Sequence, residues 1–537
     1  MSILKGFFVQ YNPKMSVRWK VLNSYKKGFI MSLAIIYSRA SFGIQAPLVT
    51  VEVHLSNGLP AFSMVGLPET AVKESKDRVR SALLNSHFDF PSRRLTVNLA
   101  PADLPKEGGR FDLAIALGIL AASDQLSKEK LLDYEFVGEL ALTGNLRDVS
   151  GALPFAIAAQ KTKRKIILPK KNSLEASLCK NIEIFAADHL LEVCAHLNNI
   201  KPLEKIKIET ELHQKNYLDL LDVKGQYHGK RALEIAAAGG HSLLFVGPPG
   251  TGKTMLALRL PGIMPNLTEN EALKTAMVYS ITNKGFDIEK WRIRPFRAPH
   301  HTASSVALVG GGRPPQPGEI SLAHNGVLFL DELPEFSRHV LDSLREPLES
   351  GSVTISRAAY QSQFPANFQL VTAMNPCPCG FYGDPNGRCH CTEDQVARYQ
   401  SRISGPFLDR IDMHIFMPAL PKGLLSSSQA STDSSEKIKS RVMDAYQMQI
   451  ERQKKINSKL IGKEIKNFCA VKKEDAEFLE EAIFKLGLSA RAYDRLLKLS
   501  RTIADLEKAE NISRKHLQEA LGYRKLDRKQ SQIFLRS

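Results

Sequence analysis

Two α/β parts followed by an all-α C-terminal part are predicted from three observations. An apolar run at 243–246 opens directly into a glycine-rich loop and a helical pattern. Two further buried-strand runs, 327–330 and 368–374, end in carboxylate or amide side chains. After residue 436 the chain carries only helical patterns. The 537 residues allow about three domains, and 43% hydrophobic residues suffice for large cores. No stretch of about eighteen consecutive apolar residues occurs, so no membrane-spanning helix and no membrane partner are expected. Cys179, Cys194 and Cys469 are scattered, which points to a reducing cytoplasm and no disulfide framework.

Residues 1–30 hold Lys5, Lys14, Arg18, Lys20, Lys26 and Lys27 with no acid and no continuous apolar segment, so they are not a secretory signal. Strand-like sequence begins at 33–38, making Met31 the expected functional start and 1–30 a disordered or non-native extension. Residues 31–197 read as an α/β domain, with a strand at 48–55 and a buried helix at 111–120. A linker is expected at 198–222, a core built on the glycine-rich loop at 223–420 and a Ser-rich linker at 421–436. The helical lid occupies 437–537, with helices at 436–453, 473–486, 490–506 and 513–521. The last two have apolar faces of period 3.6, with Ser489 and Ser513 placed to cap them. Net charge is +17, and much of it sits in basic ends; such tails are usually solvated, and they also attract polyphosphate chains.

The central loop carries the chemistry. Gly247, Pro248, Pro249, Gly250, Thr251, Gly252, Lys253 and Thr254 form a P-loop whose backbone N–H groups turn inward onto phosphate oxygens at a helix N-terminus. Lys253 is expected to reach the β- and γ-phosphates of ATP, and Thr254 to sit on Mg²⁺. Asp331, at the end of the 327–330 run, is the second Mg²⁺ ligand, and Glu332 the group that polarises the attacking water. Asn375 ends the third strand, where its amide can orient that water; Asn before Pro is also a common turn residue, so its role depends on the other two strands. Cys377, Cys379, Cys389 and Cys391, joined by a turn-rich loop, have the composition of a structural zinc knob. The one-residue spacing within each pair is tighter than usual, and His390 is an alternative ligand.

The segment 404–412, SGPFLDRID, resembles the arginine-finger region of ring-forming AAA+ ATPases near the magnesium-chelatase and replicative-helicase clade. That resemblance implies that Arg410 reaches the nucleotide of the neighbouring subunit; the alternative is a surface salt bridge with Asp409 or Asp412. The segment 489–495 looks like the lid helix whose arginine, here Arg491, contacts the γ-phosphate in cis. Residues 105–112 and 137–144 resemble the proteolytic domain of Lon, but Arg110 stands where that family has its serine and Leu153 where it has its lysine. Without nucleophile or base, acyl transfer has no starting point.

A protease-dead Lon-like domain, a magnesium-chelatase-type AAA+ core and a helical lid together resemble the ComM/YifB family, over nearly the whole chain from Met31. Segments 297–302, 309–313 and 318–324 carry further local matches. Membership implies a hexameric ATP-dependent DNA helicase that promotes branch migration, on single-stranded and branched DNA, as incoming DNA recombines in natural transformation. Recombination proteins are possible partners. In the related clade two insertions, about 292–318 and 353–368, point into the pore, so Arg294, Arg297, Arg313 and Arg357 are the expected DNA contacts. Pairing of these arginines with acids at subunit contacts is the alternative. Two other functions share the core residues: a metal-insertion motor of the magnesium-chelatase type, and a protein-remodelling unfoldase.

Overall fold

The computed structural model describes residues 32–66, 74–206, 217–312, 314–357, 360–384, 387–420 and 433–524. The 1–30 extension, Arg313, the side chain of Arg357, most of the Ser-rich linker and the basic tail after 524 lie outside the described residues.

The chain divides into two compact units that are interleaved in sequence. The first takes residues up to Arg39, then Leu48–Arg147 and Ala187–Leu203. Its strands are β1 (Ser32–Arg39), β2 (Leu48–Ser56), β3 (Ala61–Val65), β4 (Arg94–Ala100) and β5 (Tyr134–Phe136), in the spatial order β3-β4-β2-β1-β5. β1–β2 and β2–β4 pair antiparallel, whereas β3–β4 and β1–β5 pair parallel. β2 alternates buried and half-buried residues along its length, as a strand with one covered face must. Helix α1 (Asp112–Ala122) is apolar all round after Asp112, and every residue of it is buried. Gly118 lets it lie against β2: a Cβ there would meet Val53 Cγ2 at 2.4 Å.

The second unit takes Ala40–Pro47, Asp148–Ala186 and everything from Glu204. At its centre β6 (Leu243–Val246), β7 (Phe296–Arg297), β8 (Val327–Leu330), β11 (Gln369–Met374) and β12 (Met413–Phe416) form an all-parallel sheet in the order β7-β8-β11-β6-β12. β6, β8 and β11 are buried throughout, which is why they read as unbroken apolar runs. Between β8 and β11 the chain makes an antiparallel hairpin of β9 (Ser352–Arg357) and β10 (Tyr360–Pro365), within the insertion expected at about 353–368. Helices α2 (Tyr227–Gly239) and α3 (Lys253–Ile263) flank the sheet.

The last part is all-helical: α5 (Ser435–Gln453), α6 (Lys473–Leu486), α7 (Ala490–Leu506) and α8 (Arg514–Gly522), with α4 (Glu393–Gln400) preceding it within the core. Ser489 caps α7 through the Ala492 N–H, and Ser513 with His516 forms a capping box on α8. Ile438, Val442, Leu479, Leu496 and Ile503 are buried in the same apolar cluster as Leu233, Phe245 and Val371, so the lid shares one core with the sheet. A buried polar network adds direction to that contact. Arg452 forks onto Asp505 at 2.7 and 2.9 Å, Asn457 bonds Asp505 and Thr502, and Thr502 meets His241 beside β6.

Candidate nucleotide site and cysteine knob

Strand order brings the predicted residues together. β8, β11 and β6 are adjacent and parallel, so the residues that follow Leu330, Met374 and Val246 emerge at one edge of the sheet. In open α/β sheets this C-terminal edge is where ligands bind. The loop after β6 turns with Gly250 at φ +78° and Gly252 at φ +89°, and no atom lies within 4 Å of a Cβ built at either. Glycine is needed there for its backbone conformation, not for space. Lys253 opens α3 and curls back, donating to the carbonyls of Gly247 (2.7 Å) and Pro248 (3.0 Å) and to Asn375 Oδ1 (3.1 Å). Burial lowers its pKa, and only the nearby Asp331 charge opposes this. A buried ammonium held by neutral oxygens is poised for an anion. Thr251 fixes the loop by donating to the Pro248 carbonyl at 3.0 Å.

Thr254 Oγ1 donates to Asp331 Oδ2 at 2.8 Å, so the hydroxyl and the carboxylate predicted to share Mg²⁺ meet directly. A hydroxyl and a carboxylate side by side are the hard oxygen donors that ion prefers. Glu332 follows in the left-handed region at φ +52°, its N–H on Asp331 Oδ1 at 2.9 Å. Its carboxylate is drawn to His301, with Oε2 3.0 Å from Nδ1, while His301 sits edge-on to Phe336. The pairing of His301 with Glu332, 31 positions later, has no local signal in the sequence.

Arg410 and Arg491 are not at this edge cluster. Arg410 pairs with Glu349 at 2.8 Å and donates to the Pro406 carbonyl, so its partner is neither Asp409 nor Asp412. Those two acids have other work. Asp409 accepts from Ser489 (3.0 Å) and Arg524 (3.3 Å). Asp412 accepts from the Ser242 N–H (2.9 Å) and lies 3.7 Å from His241 and 3.8 Å from Arg495. Burial opposes ionisation of Asp412, yet His241 and the Arg495 charge outweigh it and hold its pKa far below the ordinary carboxylate value. Arg491 is exposed at the start of α7, with no ion pair or hydrogen bond among the described residues.

The basic insertion is largely engaged within the chain. Arg294 donates to the carbonyls of Pro265 and Asn325, both at 2.6 Å, and burial lowers its pKa. Arg297 forks onto Glu319 with two bonds of 2.6 Å.

The four knob cysteines do converge. Cys377 Sγ lies 3.3 Å from Cys379 and 3.8 Å from Cys389, Cys379 lies 3.6 Å from Cys389, and the four ligand atoms all fall within 4.8 Å of one another. A tetrahedral ion with Zn–S bonds of about 2.3 Å needs sulfurs about 3.8 Å apart, so the donor set fits zinc. Burial opposes ionisation of Cys379, but the N–H groups of Phe381 and His390 outweigh it and bring that thiol down to about 6. By contrast, burial pushes the thiols of Cys179 up to about 11 and of Cys194 and Cys469 up to about 12. Those three are apolar filling.

In the first unit Arg110 is buried, which lowers its pKa to about 10, and in the second Leu153 is fully buried. Neither side chain is a nucleophile or base for acyl transfer.

Comparison with known proteins agrees with this architecture. The family model "Subunit ChlI of Mg-chelatase" matches residues 51–172, "Magnesium chelatase, subunit ChlI" matches 219–425, and its C-terminal counterpart matches 432–524. Competence protein ComM of Haemophilus influenzae is 57% identical over 506 residues, spanning 93% of this chain and 98% of its own. YifB of Escherichia coli is 54% identical over 498 residues, with the same coverage of 93% and 98%. Lon protease 2 of Bacillus subtilis is 29% identical over 181 residues, 29% of this chain and 32% of its own. Identity this high along almost the whole length, on a parallel sheet whose edge gathers Lys253, Asp331, Glu332 and Asn375, establishes that the chain belongs to the ComM/YifB family of magnesium-chelatase-type AAA+ proteins.

Proposed function

We propose that this protein is the ATP-hydrolysing subunit of a hexameric ring that moves along DNA and promotes branch migration during the recombination of incoming DNA in natural transformation. The observation that carries the reading is the direct meeting of Thr254 with Asp331 and of Lys253 with Asn375 at one sheet edge, in a chain 57% identical to a competence protein.

ATP enters against the 247–254 loop, with Lys253 exchanging its carbonyl partners for phosphate oxygens. Thr254 and Asp331 would hold Mg²⁺, which would neutralise phosphate charge. Glu332 leaves His301 and turns to the attacking water, which the Asn375 amide orients. Arg491, exposed at the start of α7, reaches the phosphates in cis. Arg410 is given up by Glu349, itself 57% exposed, and turns to the nucleotide of the adjacent subunit, where it stabilises charge in the transition state. Cys377, Cys379, Cys389 and Cys391 would hold zinc, which would tie the knob together.

DNA is gripped by the basic insertions through salt-sensitive backbone contacts. Arg357 at the hairpin tip and Arg313 are the leading candidates. Arg297 contributes once Glu319 is displaced, and Arg294, which holds two backbone carbonyls, shapes the insertion from beneath. The protein works in the cytoplasm, where recombination proteins share its substrate. The decisive test is ATPase activity measured separately with single-stranded DNA, a porphyrin and an unfolded protein, alongside conversion of a synthetic branched junction. DNA stimulation with junction conversion is expected. A second reading, a metal-insertion motor, is favoured by the descriptions of the three matching family models; stimulation by porphyrin alone would select it.

A further inference from the structure

The cysteine knob is wired to the groups that surround the attacking water. Cys377 follows Asn375 by two residues, and Asn375 Oδ1 takes the Lys253 ammonium at 3.1 Å. Gly380, at φ +85°, backs onto the phosphate loop: a Cβ there would lie 2.7 Å from Pro249 Cδ, 3.0 Å from its Cγ and 3.8 Å from Asn375 Cγ. On the other side, Thr392 begins α4 with a capping box one residue after Cys391. α4 returns to the knob's root, where Gln400 Nε2 donates to the Pro376 carbonyl at 2.9 Å. Just beyond it, Arg402 pairs with Glu335 at 3.0 Å, and the Glu335 N–H bonds the Glu332 carbonyl at 2.8 Å.

Among the described residues of the loop between Cys379 and Cys389, Arg388 forks onto the buried carboxylate of Asp384 at 2.8 and 3.0 Å and stacks on Phe381, and the Tyr382 N–H meets Cys377 Sγ at 3.2 Å. No strand or helix forms between Cys377 and Cys391 among the described residues. Closing such a loop costs entropy that four metal–sulfur bonds supply readily.

We infer that zinc bound by Cys377, Cys379, Cys389 and Cys391 sets the rate of ATP hydrolysis by fixing Asn375 and Pro249, so that the knob is an allosteric metal site and not merely a structural staple. The inference rests on the ATPase reading above. It differs from a purely stabilising role in predicting separate effects on binding and turnover.

The experiment uses the full-length protein purified under reducing conditions. Zinc is counted by elemental analysis, Co²⁺ exchange is followed through its thiolate charge-transfer absorption, and binding of a fluorescent ATP analogue is compared with kcat for ATP. The wild type is expected to hold one zinc per chain and to show tetrahedral thiolate bands with Co²⁺. Cys389→Ser should lose the metal, keep analogue binding, and lose at least about 10-fold in kcat, the scale of a displaced catalytic group. Asn375→Ala should lose as much, and the double variant no more than either. Gly380→Ala keeps all four thiols, so it should retain zinc and still lose turnover, which preserves the test if Cys389→Ser fails to fold. Wild-type protein without stoichiometric metal, or zinc-free protein or Gly380→Ala with undiminished kcat, overturns the inference. Should the wild type hold zinc yet hydrolyse no ATP, the ATPase reading itself falls; should it hydrolyse ATP equally with and without zinc, only the coupling does.

Discussion

Replacing Gly252 by Ala isolates the backbone geometry of the phosphate cradle. Gly252 is the residue before α3, at φ +89°, and no atom lies within 4 Å of the position a Cβ would take. The substitution therefore creates no clash. Its whole cost is the left-handed conformation, about 1–2 kcal/mol for an L-residue. Paid within a short loop, that cost shifts the loop toward conformers in which its N–H groups no longer converge. The fraction competent for phosphate falls, and the apparent Kd rises in proportion. At about 1.4 kcal/mol per decade, the expected weakening is roughly 5- to 30-fold. Titration with a fluorescent ATP analogue reads it directly. Gly108→Ala is the control: φ is +68° there, again with nothing within 4 Å, but the glycine belongs to the first unit. It should cost similar stability and leave nucleotide affinity unchanged. A Gly252→Ala protein that binds the analogue as tightly as wild type would refute the claim that inward-turned N–H groups carry binding.

Other consequences are equally specific. His301→Ala frees Glu332 from a contact that is partly exposed and so worth about 0.5–1 kcal/mol, which should raise DNA-free ATPase activity roughly two- to five-fold; a tenfold loss would instead make His301 part of the hydrolytic machinery. Thr254→Val removes one of the two oxygens proposed to hold Mg²⁺ and should raise the Mg²⁺ concentration for half-maximal ATPase activity about tenfold or more, an effect absent if Asp331 alone holds the ion. His324 accepts from the Asn367 N–H at 3.1 Å, and burial, aided by the charges of Lys274 and Lys459, lowers its pKa from 6.5 to about 4. Because the unfolded chain binds that proton more readily, the stability His324 contributes is present above pH 6.5 and is lost as pH falls toward 4, roughly 2 kcal/mol of it by pH 5. Urea midpoints at pH 7 and pH 5 check this against His324→Asn, which should show the smaller acid shift.

The parts of the molecule visible in the sequence are those that depend on neighbours along the chain. β6, β8 and β11 were legible because a parallel strand covered on both faces must be apolar throughout. α7 was legible to its end residues because Ser489 and a 3.6-residue apolar period mark it locally. The hairpin of β9 and β10 falls within the insertion expected at about 353–368. What escaped were pairings set by topology. Nothing near Arg410 in sequence points to Glu349, 61 positions earlier, and nothing near Glu332 points to His301. Arg294 reads as a free cation on a basic insertion, but the fold turns it inward onto two carbonyls that would otherwise lack a donor. Net charge counts such arginines without revealing which of them meet solvent.

The account stands on hydrolysis shared between subunits, and subunit mixing tests it most directly. Lys253→Ala protein lacks the phosphate ligand but keeps Arg410; Arg410→Ala protein has the reverse defect. Each alone should be nearly inactive in ATP hydrolysis. Mixed in equal amounts, they should recover a substantial part of the wild-type rate, because Arg410 of the first then faces an intact Lys253 site on the second. A mixture as inactive as its parents, or an Arg410→Ala protein that alone hydrolyses ATP at the wild-type rate, would contradict the account.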